Sequence, residues 1–264
     1  MTVCAYCGRG NDAGAQFCMG CGKPLSKSRA VRATAVVGPT RALEVGDAAI
    51  VLVLLDDAGT PVERFERCGP TVTIGRHNGD VRFPDDPFLS PVHAKLSWEQ
   101  DRLMVRDLGS RNGTWVFLEG PRRLVDGDLL LIGSQVVRFR RLGYPGPYAP
   151  DADATKRMGS LIPSADIASL TQLRSDGSAR DVVQLSPGRD IQIGRERGEW
   201  IFPYDPSMSA AHVTIRSEDA DFVVVDAGSR NGVAIAARGD MAVHHHSRIL
   251  VGDKLLRIEL ATAP

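Results

Sequence analysis

The chain has 264 residues, 43% hydrophobic and 24% charged, the proportions of a globular protein with room for two ordinary domains and a small third one. Thirty-two basic residues cancel thirty-two acidic ones, so no whole-chain field draws in nucleic acid or an anionic membrane, and any anion site is local. No apolar run reaches the roughly 18 residues of a membrane span, and the opening M-T-V-C lacks the features of a secretory signal; the expected location is the cytoplasm.

Two C-x-x-C pairs come first, Cys4/Cys7 and Cys18/Cys21, each followed by a glycine. Four thiolates at that spacing suit one tetrahedral zinc ion (Zn2+), structural because the set has no open coordination position. Iron in the same set, or two disulfides, are the competing readings, and paired cysteines in a reducing compartment favour metal. Residues 3–25, with F-C-M-G-C-G at 17–22, resemble the short zinc ribbons at the N-termini of many bacterial proteins. Residues 1–25 are therefore read as a zinc ribbon that folds on binding metal, since so short a segment cannot build a core alone.

Residues 26–47 show no clean period and read as a flexible basic linker. Within it, Thr34 and Thr40 are candidate kinase targets that could fold back onto a binding site. From Ile50 the pattern changes to short β-type runs near 50–55, 62–67, 71–75, 93–98, 102–107, 114–118, 128–132 and 135–140. Ala94, Leu96 and Trp98 alternate with Lys95 and Ser97, which puts one face in and one out. Many short strands at this spacing give an all-β sandwich at 48–142, expected to bury its own core. Residues 143–166, with Pro145, Pro147 and Pro150, read as a linker that leaves the next domain loosely attached.

A second sandwich is expected at 167–261, because the chain repeats itself. Ile74-Gly75-Arg76, Ser90-x-x-His93 and D-L-G-S-R-N-G at 107–113 recur as Ile193-Gly194-Arg195, Ser209-x-x-His212 and D-A-G-S-R-N-G at 226–232, offset by 119 throughout. Phe83-Pro84 and Asp86-Pro87 recur as Phe202-Pro203 and Asp205-Pro206. An arginine fork, a serine hydroxyl and loop amides together supply the charge and the several donors that a phosphate needs. Asn112 and Asn231 add a donor and an acceptor that can pair with an extended peptide backbone.

The ordered set G-R … S-x-x-H … D-x-G-S-x-N-G resembles the signature of the forkhead-associated (FHA) domain, a β-sandwich that binds phosphothreonine peptides. The resemblance covers about residues 48–141 and 167–260. It implies that Arg76 and Ser90, with Arg195 and Ser209, hold the phosphate, that Asn112 and Asn231 hold the ligand backbone, and that Arg111 and Arg230 add charge. His93 and His212 would brace the loops, and Gly75, Gly113, Gly194 and Gly232 would permit the turns. The family often has a basic residue after the serine; here that place holds Pro91 and Ala210, so a phosphate contact is lost. The triple histidine His244–His246 reads as loop, and Cys68 as an inert thiol.

No Walker loop, kinase element, G-x-S-x-G or H-E-x-x-H motif is present. The expectation is a non-enzymatic adaptor in Ser/Thr kinase signalling whose partners are phosphothreonine-containing proteins, among them a kinase or its substrate. Phosphorylation-independent assembly is the first alternative, kept open by Pro91 and Ala210. A nucleic-acid-associated protein using the ribbon and basic linker is the second, against which the zero net charge and the lack of interleaved aromatics argue.

Overall fold

The runs read from the sequence are all strands; most bury one face, but Ala49–Leu55 is buried on both, and Ser97, expected to face out, is buried while Trp98 is only partly so. A computed structural model describes residues 2–3, 10–11, 49–142, 152–155, 167–219 and 221–261. Cys4, Cys7, Cys18 and Cys21, and the linker carrying Thr34 and Thr40, lie outside the described residues, as does most of 143–166. At the N-terminus β1 (Thr2–Val3) pairs with β2 (Gly10–Asn11). Met1–Ala42 and Leu43–Pro264 form two compact units, so both sequence repeats lie in one of them. No helix among the described residues is long and apolar enough to cross a membrane.

The first repeat supplies β3 (Ala49–Leu55), β4 (Pro61–Arg67), β5 (Thr71–Gly75), β6 (Val81–Arg82), β7 (Ala94–Glu99) and β8 (Arg102–Asp107). It continues with β9 (Thr114–Phe117), β10 (Arg122–Arg123), β11 (Leu129–Ile132) and β12 (Gln135–Arg141). The second supplies β13 (Ala168–Leu173), β14 (Ala179–Leu185), β15 (Ile191–Gly194), β16 (Trp200–Ile201), β17 (Val213–Glu218) and β18 (Asp221–Asp226). Its last strands are β19 (Val233–Ala236), β20 (Met241–Val243), β21 (Arg248–Val251) and β22 (Lys254–Ala261).

These strands do not pair within their own repeats throughout. One ten-stranded sheet runs β14-β13-β12-β11-β19-β9-β21-β22-β3-β4, and two five-stranded sheets run β10-β18-β17-β15-β16 and β20-β8-β7-β5-β6. The last three strands of each repeat are therefore exchanged. β10, β11 and β12 add to β18, β19 and β13 of the second repeat, while β20, β21 and β22 add to β8, β9 and β3 of the first.

The cores follow the exchange. Leu124, Leu130, Ile132, Val137 and Phe139 of the first repeat pack with Leu170, Ile193, Ile215 and Phe222 of the second. Val243, Ile249, Val251, Leu256 and Ile258 return the exchange, packing with Ile50, Leu52, Ile74 and Leu96. This overturns the expectation that each repeat buries its own core, and with it the loose attachment: a continuous hydrogen-bonded sheet joins the two halves. The repeat offset also shortens by one residue at the first strand, where the core pair Ile50 and Leu52 corresponds to Ala168 and Leu170.

Two buried aspartates lock the exchanged hairpins. Asp205 accepts from the Ser134 amide (2.9 Å), the Ser134 hydroxyl (2.7 Å) and Gln135 Nε2 (2.8 Å), all in the β11–β12 hairpin of the other repeat. Asp86 accepts from the Asp253 amide at 2.9 Å in the β21–β22 hairpin. The turns come so close that a Cβ at Gly252 would sit 2.3 Å from Asp86 Oδ2, and one at Gly133 2.9 Å from Asp205 Oδ2. Burial alone would raise the pKa of either carboxyl. Hydrogen bonds from Gln135, Ser207 and Ser134 outweigh it and hold Asp205 far below the usual carboxylate range, and the Asp253 and Phe88 amides lower Asp86.

Candidate functional site

In each half the loop after the third strand, the serine loop and the asparagine loop meet at one edge. Arg76 follows β5 directly; its amide donates to the Ser90 carbonyl (2.9 Å), and the Asn78 amide to the Pro91 carbonyl (2.9 Å). A Cβ at Gly75 would stand 2.2 Å from Asn78 O and 2.3 Å from Pro91 O, so this glycine is required by the close approach of two carbonyls. Gly194 is packed in the same way, 2.3 Å from Ala210 O. Gly113 and Gly232 are required for another reason, φ angles of 76° and 81° in the left-handed region.

His93 is fully buried and joins two loops. Its Nδ1 accepts from the Ser90 amide at 3.1 Å, which leaves the proton on Nε2 to donate to the Gly113 carbonyl at 3.0 Å. His212 does the same between Ser209 (2.9 Å) and Gly232 (3.0 Å). Both histidines brace the loops from behind and face away from solvent.

The asparagine loop is built on an aspartate. Asp107 accepts from the amides of Gly109 (2.9 Å) and Ser110 (2.8 Å) and from the hydroxyls of Ser110 (2.6 Å) and Thr114 (2.8 Å). Burial would raise its pKa, but the Ser110 and Thr114 hydrogen bonds dominate and the net shift is downward. Ser110 Oγ also accepts from the Gly113 amide at 2.9 Å, so one hydroxyl closes the loop on itself. Asp226, Ser229 and Gly232 repeat this relay, with Val233 in place of the threonine. Asp107, Ser110, Asp226 and Ser229 are the framework residues that a search for phosphate ligands passes over; an aspartate three residues before a serine in a glycine-rich loop is the local signal for such a turn.

This framework aims the polar groups. The Arg111 amide donates to Ser90 Oγ at 3.1 Å and the Arg230 amide to Ser209 Oγ at 3.0 Å, so each serine hydroxyl keeps its own proton to give to an anion. Arg195, Ser207, Ser209, Ala210 and Arg230 line one cleft of about 230 Å³. Arg76 is half-buried, and its Nε is buried with no hydrogen-bond partner. Asn112 Nδ2 donates to the Phe88 carbonyl, and Asn231 Nδ2 to the Ser207 carbonyl, both at 2.7 Å. Each asparagine therefore ties its loop to the serine loop and leaves its side-chain oxygen for a ligand. Pro91 is exposed and sends no charge into its site. Among the described residues no group of three or more His, Cys, Asp and Glu could hold a metal ion, and His244–His246 form no such group.

The sequence pattern of the FHA domain matches residues 72–133 and 187–252. Glycogen accumulation regulator GarA of Mycolicibacterium smegmatis is 34% identical over 118 residues, 44% of this chain and 70% of that protein. The oxoglutarate dehydrogenase inhibitor of Corynebacterium efficiens is 37% identical over 110 residues, 40% of this chain and 72% of that protein. GarA of Mycobacterium tuberculosis is 31% identical over 121 residues, 45% of this chain and 70% of that protein.

Proposed function

The chain belongs to the FHA-domain family, and on that premise we propose that it is a non-enzymatic, phosphothreonine-binding adaptor with two peptide sites. The observation that carries the reading is the cleft that Arg195, Ser209 and Arg230 line, matched in the first half by Arg76, Ser90 and Arg111. Two guanidinium groups, a free hydroxyl proton and loop amides complement a dianionic phosphate monoester. The asparagine oxygen beside them accepts an amide from the ligand backbone. Threonine is the phosphorylated residue that the family resemblance implies. Partners are phosphorylated proteins, a Ser/Thr kinase or its substrates among them, and the setting is the cytoplasm.

The test uses the full chain, because the halves share strands. It is titrated with a degenerate phosphothreonine peptide library and with the unphosphorylated library. Binding that needs phosphate, and that falls in Arg76→Ala and Arg195→Ala, supports the adaptor. Partner binding that survives both substitutions supports a phosphorylation-independent assembly scaffold instead, a reading favoured by Pro91 and Ala210.

The zinc reading rests on the cysteine spacing and on the resemblance of residues 3–25 to short zinc ribbons. Purified full-length protein is expected to carry one zinc per chain and to lose it on substitution of Cys18 and Cys21 by serine.

A further inference from the structure

The register of the central strand pair fixes how the two sites face. β9 and β19 run antiparallel with Val116 opposite Ile235, Trp115 opposite Ala236 and Phe117 opposite Ala234. Shifting every residue to its counterpart in the other repeat maps the Val116–Ile235 pair onto itself and exchanges the other two pairs. A local two-fold axis therefore passes between Val116 and Ile235. The exchanged pairs obey it as well: Val116 opposite Ile249 becomes Ile235 opposite Leu130, and Val105 opposite Met241 becomes Val224 opposite Arg122.

Both asparagine loops feed straight into this pair. One glycine separates Asn112 from the start of β9, and one glycine separates Asn231 from the start of β19. Because the strands are antiparallel, the loops enter at opposite ends: the Ala237 amide donates to Thr114 O and the Leu118 amide to Val233 O. The register puts Val233, the start of β19, level with Leu118, four positions along from Thr114, the start of β9. At ~3.4 Å per residue that is roughly 14 Å along the strand direction, and each asparagine lies two residues further out. The second loop has no slack, since a Cβ at Gly232 would stand 3.1 Å from the Phe117 ring and 3.0 Å from Arg248.

We propose that the protein is a rigid bridge between two separate phosphothreonine-bearing chains, one at each end of the central strand pair, and does not clamp one multiply phosphorylated segment. The inference deepens the phosphopeptide reading above and rests on it. A ligand chain entering both sites would have to cross the sheet and reverse its direction, because the two-fold axis inverts whatever polarity the first site imposes. Two independent chains meet no such demand.

The experiment titrates the full chain with the best single phosphothreonine peptide from the library, then with a tandem peptide carrying that sequence twice, its phosphothreonines about twelve residues apart, a contour of ~40 Å that exceeds the separation of the two loops. Stoichiometry is read by calorimetry and assembly size by analytical ultracentrifugation. The expected result is two single peptides per chain, a tandem peptide no more than about twofold tighter, and assemblies beyond 1:1 that stop at two proteins per peptide in Arg76→Ala or Arg195→Ala. A 1:1 tandem complex at least tenfold tighter than the single peptide, with the gain lost in either variant, overturns the bridge and leaves the phosphopeptide reading standing. So does a stoichiometry of one for the single peptide. Absence of any phosphate-dependent binding overturns both.

Discussion

The two site-bearing edges share one framework and differ in electrostatic readiness. At the first, Arg76 is followed by His77, and Arg76 Nε is buried without a partner. At the second, Glu196 holds Arg195 through its Nη2 at 2.8 Å and its Nε at 3.1 Å. Asp107 gathers the Thr114 hydroxyl, a bond that Val233 cannot supply in the second loop. Duplication has thus preserved the geometry that aims the donors while letting the free charge diverge. On the phosphopeptide reading, a phosphate at the second site has to displace the Glu196 carboxylate from Arg195.

The comparison can be broken most severely through the shared cores. Phe139 belongs to the first repeat by sequence but is fully buried against Phe222, with ring centroids 6.0 Å apart. Phe139→Ala should cost about 3–5 kcal/mol, read as a fall in unfolding midpoint. Peptide binding at the Arg195 site should weaken before binding at the Arg76 site; the reverse order would contradict the strand exchange.

Charge comes next. Arg76→Ala should cost about 2–5 kcal/mol of phosphopeptide affinity at the first site, and Arg195→Ala less at the second, because Glu196 already opposes that arginine. Titration calorimetry of the two variants decides the ranking, and equal losses would show that the Glu196 contact is irrelevant.

The hairpin locks give a smaller effect with a defined pH dependence. Asp205→Ala should destabilise by about 1–3 kcal/mol, since it strands the Ser134 amide. Asp205, Asp86 and Asp107 all have lowered pKa values in the folded state. Each therefore contributes stability that is complete above the unfolded value near 4 and is lost as the pH falls below it. Chemical denaturation of the unsubstituted protein and of Asp205→Ala should show a stability difference that is constant from neutrality to about pH 5 and shrinks below that.

The smallest change sharpens the contrast between the sites. Glu196→Gln frees Arg195 from an exposed ion pair worth at most about 1 kcal/mol. Affinity at the second site should rise up to about fivefold, with the first site unchanged. A fall would mean that Glu196 positions the arginine for phosphate.

Most of the strand map was legible because period-two alternation survives in single runs such as Ala94–Trp98. The loops were legible because their motif occurs twice at one offset. The bracing roles of His93 and His212 followed from the resemblance and agree with their burial and hydrogen bonds. Harder to see were Asp86 and Asp205, which the sequence marks only as repeated Asp-Pro pairs. Their partners are hairpin atoms 71 and 167 residues away in the chain, and no local pattern encodes those contacts. The short strands Val81–Arg82 and Arg122–Arg123 escaped as well, two-residue pieces with no period to read.

Sequence by itself determined the all-β class and the duplication, because alternation and turn chemistry act over a few residues. Which copy of the last hairpin completes which half was decided only by the tertiary structure. The two hairpins carry the same apolar pattern, so either could bury its face in either half, and the pattern is degenerate between them. In the structure the chain leaving β9 at Leu118 bonds Val233 of the other repeat and continues into β10, which pairs with β18 of that repeat.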